Sequence, residues 1–442
     1  PLHVGHGRGA AVGDSLARLL RKAGFDVETE YYINDAGRQM RILGLSVWLR
    51  VKELAGRPVE WPEDYYRGSY IIDIAREMLA EDPGLPDMED QAGQDRCYER
   101  AMNEILDGIK ADLADFRVEH QHWFSEKTLV ESGAVKAAFD ALTEAGHTFD
   151  KDGAFWFATQ ALGDDKDRVI IKSDGNYAYF AADIAYYRNK RHRETNPADV
   201  AIYMLGADHH GYIGRMMAMC EAFGDKPGEN MQILIGQLVN VMKDGKAVRM
   251  SKRAGNVVTI DDLTDAIGVD ASRYSLARTD YNSPVDIDLN LLSSHSNENP
   301  VYYVQYAHAR SCNVDRNAAA AGITYEGADV SLLDTTADGE VLAALAQWPA
   351  LLREAGDLRA PHRVAHYLED LAATYHKWYN VERVVPMELT DPEARGEQAD
   401  AIRIAKAPEP ARAAARLKLN DAVKTVIAEG LDLLGVTAPD KM

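Results

Sequence analysis

The stretch HVGHGRGAAVGDSLARLL, from His3 to Leu20, decides how the first part of the chain folds. Two histidines three residues apart precede a run of glycines, and apolar residues then recur at helical spacing. Gly24 follows this pattern as the expected C-cap. The next segment, FDVETEYYIND, is rich in aromatic and β-branched residues and is typical of a strand. A helix followed by a strand is the order found in doubly wound α/β domains.

The size and composition of the chain indicate a globular protein with more than one domain. Its 442 residues predict two to three domains, and 46% hydrophobic with 27% charged residues is an ordinary composition. No apolar stretch approaches the about 18 residues that a membrane span requires. The cysteines Cys97, Cys220 and Cys312 are too scattered to predict a disulfide framework or a metal site, and they favour a reducing cytoplasm.

The formal net charge of −21 is evidence against a nucleic-acid partner, since phosphate binding normally leaves a basic surface. A large acidic protein can still carry a local basic track, because net charge determines solubility more than the chemistry of a site. A nucleic-acid partner therefore has to be argued from specific motifs, and it requires such a track.

The middle of the chain divides into a helical part and a strand-rich part. Residues from about 44 to 145 are mostly helical in pattern, and we interpret them as an insertion with connecting helices. Strand-like runs return near Phe155 with FWFAT, RVIIKSDGNYAYF, VAIYMLG and QILIGQLVNVM. We expect the parallel-sheet fold to resume there and to end near Asp288.

The last part of the chain is almost purely helical after Asn299-Pro300. Its periodic segments include VLAALAQWPALLREAG, RVAHYLEDLAATYHKWYN and RLKLNDAVKTVIAEGLDLLG. We therefore predict an α/β domain over residues 1–290 and an all-α helix bundle over residues 291–442.

The segment His3-Val4-Gly5-His6 suits the chemistry of a nucleotide phosphate. A helix N-terminus offers unpaired N–H groups and a positive dipole end, and glycine lets a base or a phosphate approach the backbone. Two imidazoles at that place can donate hydrogen bonds to phosphate oxygens as charge develops. The alternative interpretation is a glycine-rich helix start with two incidental histidines, because a four-residue match is weak by itself.

A second stretch, GKAVRMSKRAGNVVTIDDL, gathers cations around Met250 and Ser251. The basic residues are Lys243, Lys246, Arg249, Lys252 and Arg253. Mobile cations near a triphosphate can neutralise the charge that develops on a pyrophosphate leaving group. The alternative is an exposed basic loop, since most charge runs are solvated surface.

Together and in this order, the two stretches resemble the His-x-Gly-His and Lys-Met-Ser-Lys signatures of the class I aminoacyl-tRNA synthetases. The opening segment through YYINDAGRQM resembles the arginyl-tRNA synthetases of bacteria, and the helical region ending in GLDLLGVTAPDKM resembles their anticodon-binding domain. The resemblance covers essentially the whole chain. It implies a Rossmann-like catalytic domain with a helical insertion, followed by an anticodon-binding bundle.

Two departures from the family pattern stand out. Arg249 replaces the first lysine of the second signature, and a planar guanidinium is not an ammonium, so Lys252 is the residue expected to act. In the family, a tRNA-contacting domain and a first strand precede the His-x-Gly-His segment, whereas this chain begins at Pro1. We expect both to be missing from this sequence, and a sheet without its first strand would expose an unpaired edge.

A guanidinium is best recognised by a carboxylate that accepts two parallel hydrogen bonds. Tyr179 and Asp183 are four residues apart in NYAYFAADIAYY, so a helix would present both on one side. They match the Tyr-x-x-x-Asp that lines the arginine pocket of the family, with Asp183 on the guanidinium and Tyr179 beside it. The alternative is an amphipathic helix with a surface aspartate.

The segment MLGADHHGY follows a strand, and ligands bind at the carboxyl ends of strands in α/β folds, which favours contacts of Gly206, Asp208 and His209 with ribose or substrate. The alternative is a solvent-exposed polar turn. The resemblance adds the remaining site residues. The catalytic residues would be His3, His6 and Lys252. Arginine would contact Tyr179, Asp183 and His209. ATP would contact His3, Gly5, His6, Gly206, Asp208, His209, Val248, Met250, Ser251 and Lys252. The tRNA would contact Tyr302, Tyr306 and Arg310, although helical spacing also predicts that most aromatic residues there are core.

The expected reaction is a two-step acyl transfer. The carboxylate of L-arginine attacks the α-phosphate of ATP, with Mg²⁺ held by the phosphates and no metal ligand from the protein. The terminal ribose hydroxyl of tRNA(Arg) then takes the arginyl group. The resemblance suggests a monomer, and a cytoplasmic location follows from the cysteines and the absent apolar stretch.

Three alternatives stay open at this point. Another class I synthetase would share both signatures, although a cysteine-specific one would need zinc ligands. A non-catalytic tRNA-binding remnant is consistent with the unusual start of the sequence. A small nucleotidyltransferase with a similar histidine motif would not need the helical third of the chain.

Overall fold

The computed structural model describes residues 2–248, 258–385 and 408–442 of the chain. Its architecture is mixed α/β in the first part and all helical in the last. The first part, called the α/β region below, contains the helices α1 (Val4–Lys22), α2 (Arg38–Leu54), α3 (Ser69–Glu81), α4 (Asp90–Asp115), α5 (Lys127–Glu131), α6 (Ala134–Glu144), α7 (Phe180–His192), α8 (Ile213–Ala222), α9 (Ile260–Ala277) and α10 (Leu289–Leu292). The bundle contains α11 (Pro300–Ala320), α12 (Thr336–Asp357), α13 (His362–Val381) and α14 (Pro410–Leu433).

Within the described ranges, ten short strands accompany these helices. They are β1 (Glu30–Ile33), β2 (His122–Ser125), β3 (Thr148–Lys151), β4 (Ala154–Phe157), β5 (Arg168–Ile171), β6 (Ala201–Gly206), β7 (Met231–Gly236), β8 (Val239–Lys243), β9 (Lys246–Ala247) and β10 (Val285–Asp288). Three parallel pairs form the Rossmann-like part: β1 with β2, β6 with β7, and β10 with β8. No helix within the described ranges is both long and apolar enough to cross a membrane.

The region 44–145 is mostly helical, as predicted, but it also contains β2, which the sequence did not reveal and which pairs in parallel with β1. The structure corrects the sequence interpretation in the next region. The runs near Phe155 do not resume the parallel sheet, since β3, β4 and β5 form a separate antiparallel sheet. Strand direction leaves no mark in composition, and a strand of four residues is easily hidden between helices.

The α/β region and the helix bundle share one apolar core. Buried side chains of α1 and α9, such as Leu19 and Leu276, belong to the same cluster as Leu368 of α13 and Leu431 of α14. Polar contacts reinforce this packing, because the hydroxyl of the buried Tyr274 donates to the main-chain oxygen of Ala365 at 3.1 Å. The helix bundle therefore packs directly against the α/β region and is not connected to it by a linker alone.

Two acids lie at this junction, the buried Asp14 and the half-buried Asp270, and an arginine pairs with each. Asp14 of α1 forms an ion pair with Arg273 of α9, whose side chain is fully buried and also donates to the main-chain oxygen of Leu434 at 3.0 Å. Asp270 of α9 pairs with Arg117 at 2.5 Å. These pairs tie the end of α4, α9 and the C-terminal segment together.

Hydrogen bonding offsets the burial of Asp270. Burial raises the pKa of this carboxyl, but hydrogen bonds from Thr437 and Arg117 outweigh it and leave the pKa below its usual value. Gln305 of α11 also donates to Asp270 at 2.8 Å. The acid is held ionised by partners from both parts of the chain.

Candidate active site

The first candidate element is the N-terminus of α1, which a histidine caps. His3 is the N-cap, and its Nδ1 accepts hydrogen bonds from the main-chain N–H of Gly5 at 3.1 Å and of His6 at 3.3 Å. In return, Nδ1 of His6 accepts from the main-chain N–H of His3 at 3.3 Å, which completes a reciprocal capping box. The sequence pattern His-x-x-His therefore has a structural role as well as a chemical one.

The two rings lie on top of each other, with centroids 3.6 Å apart and planes inclined by 22°. Because each Nδ1 accepts a hydrogen bond, a neutral imidazole here carries its proton on Nε2. Both rings thus present an N–H donor of the kind that stabilises charge on a phosphate oxygen.

This geometry corrects one expectation about the helix mouth. The main-chain N–H groups of the first turn are already bonded within the protein: Gly5 and His6 to the His3 ring, Gly7 to the main-chain oxygen of His3, and Val4 to that of Val258. A phosphate at this end meets imidazole donors first, because the amides are occupied.

Two glycines of the segment allow close approach of neighbouring atoms. A Cβ on Gly5 would lie 2.9 Å from Cε1 of His3, so a side chain there would displace the capping ring. A Cβ on Gly13 would lie 3.0 Å from Sδ of Met204 in β6. Gly5 shapes the histidine pair, whereas Gly13 serves the packing of α1 on the sheet.

The structure brings the two signature regions together. Val4 donates to the main-chain oxygen of Val258 at 3.1 Å, and Ile260 donates to that of Leu2 at 3.0 Å. Residues 258–260 belong to the C-terminal end of the second stretch, and His3 forms an isolated antiparallel bridge with Thr259. The cationic stretch therefore returns to the helix mouth at its C-terminal end.

The second signature itself is only partly described. Val248 follows β9 and donates from its main chain to Val241 at 2.7 Å. Met250, Ser251 and Lys252, together with Arg249, lie outside the described residues. Their expected contacts with ATP stay predictions.

The second candidate element is the start of α7, where Tyr179 and Asp183 lie. Tyr179 is the N-cap residue and its side chain is 76% exposed, while Asp183 lies in the first turn and is half-buried. The rings of Tyr179 and Tyr212 meet edge to face with centroids 6.2 Å apart. The helix places the tyrosine at the entrance and the aspartate deeper.

Asp183 carries an unusual charge state for an aspartate. Burial and the nearby Glu126 carboxylate raise its pKa to about 7, and the positive charge of Arg215 offsets only part of that rise. A buried acid that its own protein does not fully neutralise is a favourable partner for a cationic ligand. The pocket thus has the electrostatics expected for a guanidinium.

Glu126 is a pocket residue that the sequence interpretation missed. Burial raises its pKa, and the hydroxyl of Tyr32 donates to its carboxylate. Glu126 directly follows β2, and the parallel register of Tyr32 with Phe124 brings both side chains to the same edge of the sheet. A carboxylate directly after a strand is a typical ligand-binding residue in α/β folds, so Glu126 could have been predicted if β2 had been recognised from the sequence.

The third candidate element is the turn after β6. Gly206 ends the strand, and a Cβ there would lie 2.8 Å from Oδ1 of Asp208. Asp208 is exposed, and its Oδ1 lies 3.0 Å from Nδ1 of His209. His209 also meets Tyr212 at a centroid distance of 5.8 Å. Since Asp208 contributes, after burial, to raising the pKa of Tyr179 along with Asp183, this turn borders the acidic pocket.

The candidate tRNA-binding residues lie on one face of α11. The rings of Tyr302 and Tyr306 are parallel, with centroids 6.1 Å apart. Arg310 is held between the rings of Tyr306 and Tyr379, at 4.7 and 4.6 Å, and its Nη1 lies 2.8 Å from Nδ1 of His376. Arg310 therefore takes part in the packing of α11 against α13, which is the structural alternative for this stretch.

Comparison with protein families gives two matches that together cover most of the chain. The description "tRNA synthetases class I (R), catalytic domain" matches residues 1–289, and "DALR anticodon binding domain" matches residues 304–442. A curated relative, the arginine–tRNA ligase of Bifidobacterium adolescentis, is 74% identical over 462 aligned residues, which cover 100% of this chain and 77% of the relative.

Solved structures give the same assignment. A putative arginyl-tRNA synthetase from Campylobacter jejuni superposes with a TM-score of 0.84 at 35% identity, over 100% of this chain and 91% of that one. The Thermus thermophilus arginyl-tRNA synthetase has the same fold, with a TM-score of 0.74 at 23% identity over 100% of this chain and 80% of that one.

Proposed function

The chain belongs to the arginyl-tRNA synthetase family of class I aminoacyl-tRNA synthetases, and from this premise we propose how its residues carry out the reaction. The activity is that of an arginine–tRNA ligase, which uses ATP to join arginine to tRNA. Three of its elements meet the needs of this chemistry: the histidine-capped start of α1, the acidic pocket at the start of α7 and the turn after β6.

The acidic pocket binds the arginine side chain. Asp183 accepts hydrogen bonds from the guanidinium, Tyr179 packs beside it at the entrance, and Glu126 supplies a second negative charge. Supporting this, the pKa of Asp183 is raised to about 7 by burial and by Glu126, so the pocket lacks a full positive counterpart until a cation enters. His209, in the turn after β6, contacts the amino acid from the neighbouring side.

The histidines and the second signature bind ATP. His3 and His6 donate to the phosphates from Nε2, Lys252 neutralises the pyrophosphate, and Gly5 gives the space for the ring pair. Gly206, Asp208 and His209 contact the ribose side, while Val248, Met250 and Ser251 hold the adenine. Mg²⁺ arrives with the ATP phosphates as part of the substrate.

The chemical steps follow from this placement. A carboxylate oxygen of arginine attacks the α-phosphorus, the bond to the bridging oxygen breaks, and pyrophosphate leaves with the negative charge that Lys252 compensates. The terminal ribose hydroxyl of tRNA then attacks the arginyl carbonyl, and AMP leaves. Catalysis is positioning and charge stabilisation, without a protein nucleophile.

The division of labour along the chain is part of the proposal. Residues 1–290 form the catalytic domain, with the insertion over about 44–145, and residues 291–442 form the anticodon-binding domain. Tyr302, Tyr306 and Arg310 offer stacking and a cation to RNA bases on α11. The enzyme acts as a monomer in the cytoplasm.

The observation that carries the proposal is the position of Asp183 in the first turn of α7 behind the exposed Tyr179, where burial and the Glu126 charge raise its pKa. The test measures transfer of radioactive arginine to total tRNA by the Asp183→Asn variant and by Asp199→Asn, an exposed acid outside the pocket. Asp183→Asn should lose arginine transfer while Asp199→Asn retains it. Equal activity of the two variants would remove Asp183 from the arginine site.

Lys252→Ala tests the ATP side separately. Removing one preorganised charge or donor costs about 10²–10³ in rate, so arginine-dependent exchange of pyrophosphate into ATP should fall by that factor. The family resemblance implies that this exchange requires tRNA, and each assay is therefore run with and without it. Exchange near the level of the unmodified chain would exclude Lys252.

A further inference from the structure

A cluster of three potential metal ligands lies in the helix bundle, outside the three elements of the active site. It joins His308 and Cys312 on α11 to Asp440 in the C-terminal segment. One imidazole nitrogen, the sulfur and a carboxylate oxygen all lie within 4.8 Å of one another. The sequence predicts no metal ligand from the protein, because its three cysteines are too scattered to suggest a metal site.

The distances from the sulfur are close to those of a tetrahedral site. Sγ of Cys312 lies 3.5 Å from Oδ1 of Asp440 and 3.7 to 3.9 Å from the two ring nitrogens of His308. With Zn–S of about 2.3 Å and Zn–N or Zn–O of about 2.0 Å, tetrahedral angles separate the sulfur from its neighbouring ligand atoms by about 3.5 Å. To share one ion, the imidazole and the carboxylate close in on the sulfur from within the 4.8 Å that spans the cluster.

The surroundings orient the imidazole as a ligand. Nδ1 of His308 lies 3.0 Å from the main-chain oxygen of Pro439, which orients the ring and leaves Nε2, 3.9 Å from Sγ of Cys312, as the nitrogen that can bind the ion. A metal-binding histidine usually donates its other ring N–H to such an oxygen. Arg316 donates to the main-chain oxygen of Asp440 at 3.2 Å, so the segment that carries the carboxylate is also held.

The burial pattern gives the cluster a closed side and an open side. His308 is 5% exposed and Cys312 is 9% exposed, whereas Asp440 lies at the surface. An ion can enter past the carboxylate, and a water molecule can complete the coordination from solvent. Three protein ligands with one open position are a common arrangement for zinc.

We propose that His308, Cys312 and Asp440 bind a divalent, thiolate-preferring metal ion of the Zn²⁺ class. Thiolate with imidazole selects zinc over magnesium or calcium, which prefer oxygen ligands. Binding releases the thiol proton and converts the cluster into a cross-link between α11 and the C-terminal segment. The side chain of Gln305 on α11 already donates to the main-chain oxygen of Thr437 in this C-terminal segment at 2.9 Å. The metal would therefore reinforce an existing contact between the segment and α11.

The experiment titrates the full-length chain, stripped of metal by a chelator, with Co²⁺ as a spectroscopic probe and then with Zn²⁺ as competitor. We expect about one Co²⁺ per chain, with a sulfur-to-cobalt charge-transfer band and visible bands of tetrahedral intensity, both abolished by Zn²⁺. Zn²⁺ should also raise the midpoint of thermal unfolding. Absence of the charge-transfer band, or its persistence in Cys312→Ser, overturns the proposal.

Matched variants separate the site from general thiol or acid effects. Cys97→Ser and Cys220→Ser remove the other two buried thiols and should keep the band. Asp440→Asn changes an exposed residue, so it tests the site even where Cys312→Ser fails to fold, and it should weaken Co²⁺ binding at least about 10-fold. Asp370→Asn, an exposed acid of α13, is its control, and an equal loss in both acid variants contradicts the assignment.

Discussion

Two regions of the chain hold partly or fully buried acids, and the two regions differ in how the negative charge is compensated. At the junction of the two domains, Asp14 and Asp270 each have an arginine partner within the protein. In the pocket at the start of α7, Asp183 and Glu126 lie near each other and both have raised pKa values, because burial is not fully compensated. A paired buried acid holds the fold together, whereas a poorly compensated one is kept for a ligand.

The largest effect should come from breaking a pair at the junction. Arg273→Met removes the buried partner of Asp14, which stays paired with the partly exposed Arg18 at 2.8 Å, and it removes the donor to the main-chain oxygens of Leu434 and Phe116. Such a loss costs about 3–5 kcal/mol of unfolding free energy, measured by urea denaturation. Adding Asp14→Asn to this variant should recover part of that loss. A lone Arg273→Met variant as stable as the unmodified chain would show that the junction does not depend on this pair.

Asp183→Asn should cause the next largest effect, on activity instead of stability. Removing the carboxylate that receives a guanidinium costs about 10²–10³-fold in kcat/KM for arginine, with a small change in the KM of ATP. Equal losses for the two substrates would indicate a misplaced structural aspartate. Steady-state transfer assays at several concentrations of each substrate measure both values.

Asp183→Asn should also change how the thermal stability of the chain depends on pH. A carboxyl whose folded-state pKa lies above its unfolded value stabilises the fold below the unfolded pKa of about 4, and that stability is lost as pH rises toward 7. Asp183→Asn removes this penalty, so without arginine it should have a higher thermal midpoint than the unmodified chain at pH 8. At pH 4 the two midpoints should converge.

Glu126→Gln is expected to have a smaller effect than Asp183→Asn. It removes one of the two pocket charges, so the KM for arginine should rise about 10-fold, while the pKa of Asp183 falls because a neighbouring negative charge is gone. The pH profile of kcat/KM reports that shift. A profile unchanged from that of the unmodified chain would separate Glu126 from Asp183.

The smallest predicted effect is the pH dependence of the unmodified chain. If arginine binds to ionised Asp183, kcat/KM for arginine rises with pH to a plateau above about 7 and falls about tenfold at one pH unit below that value. Asp183→Asn should lose this limb of the profile. A limb that remains in the variant would belong to another group.

Much of the fold follows from periodicity in the sequence. Long amphipathic helices such as α1 and α13 are recognisable because apolar residues recur every three or four positions. β2 was missed, since four residues carry no clear period, and Glu126 was missed along with it. The antiparallel arrangement of β3, β4 and β5 was equally invisible, because pairing direction depends on connections and not on composition.

The candidate site likewise contains some features that the sequence reveals and others that it does not. Tyr179 and Asp183 could be found because a guanidinium requires a carboxylate and helical spacing brings the pair together. The capping role of His3 could not, since it depends on a ring folding back over Gly5. Nor does the sequence reveal that Arg310 lies between two tyrosine rings, one of which comes from a different helix.

The apolar core that runs from α1 through α9 into α13 and α14 has a consequence for how the molecule melts. Heating should give a single calorimetric transition, because the apolar side chains of each part are shielded from water only when both parts are folded together. A gene cut near Asn299 would yield two polypeptides with exposed apolar faces, prone to aggregate. The bundle is thus a poor candidate for transplantation onto another enzyme, even though it is contiguous in the chain.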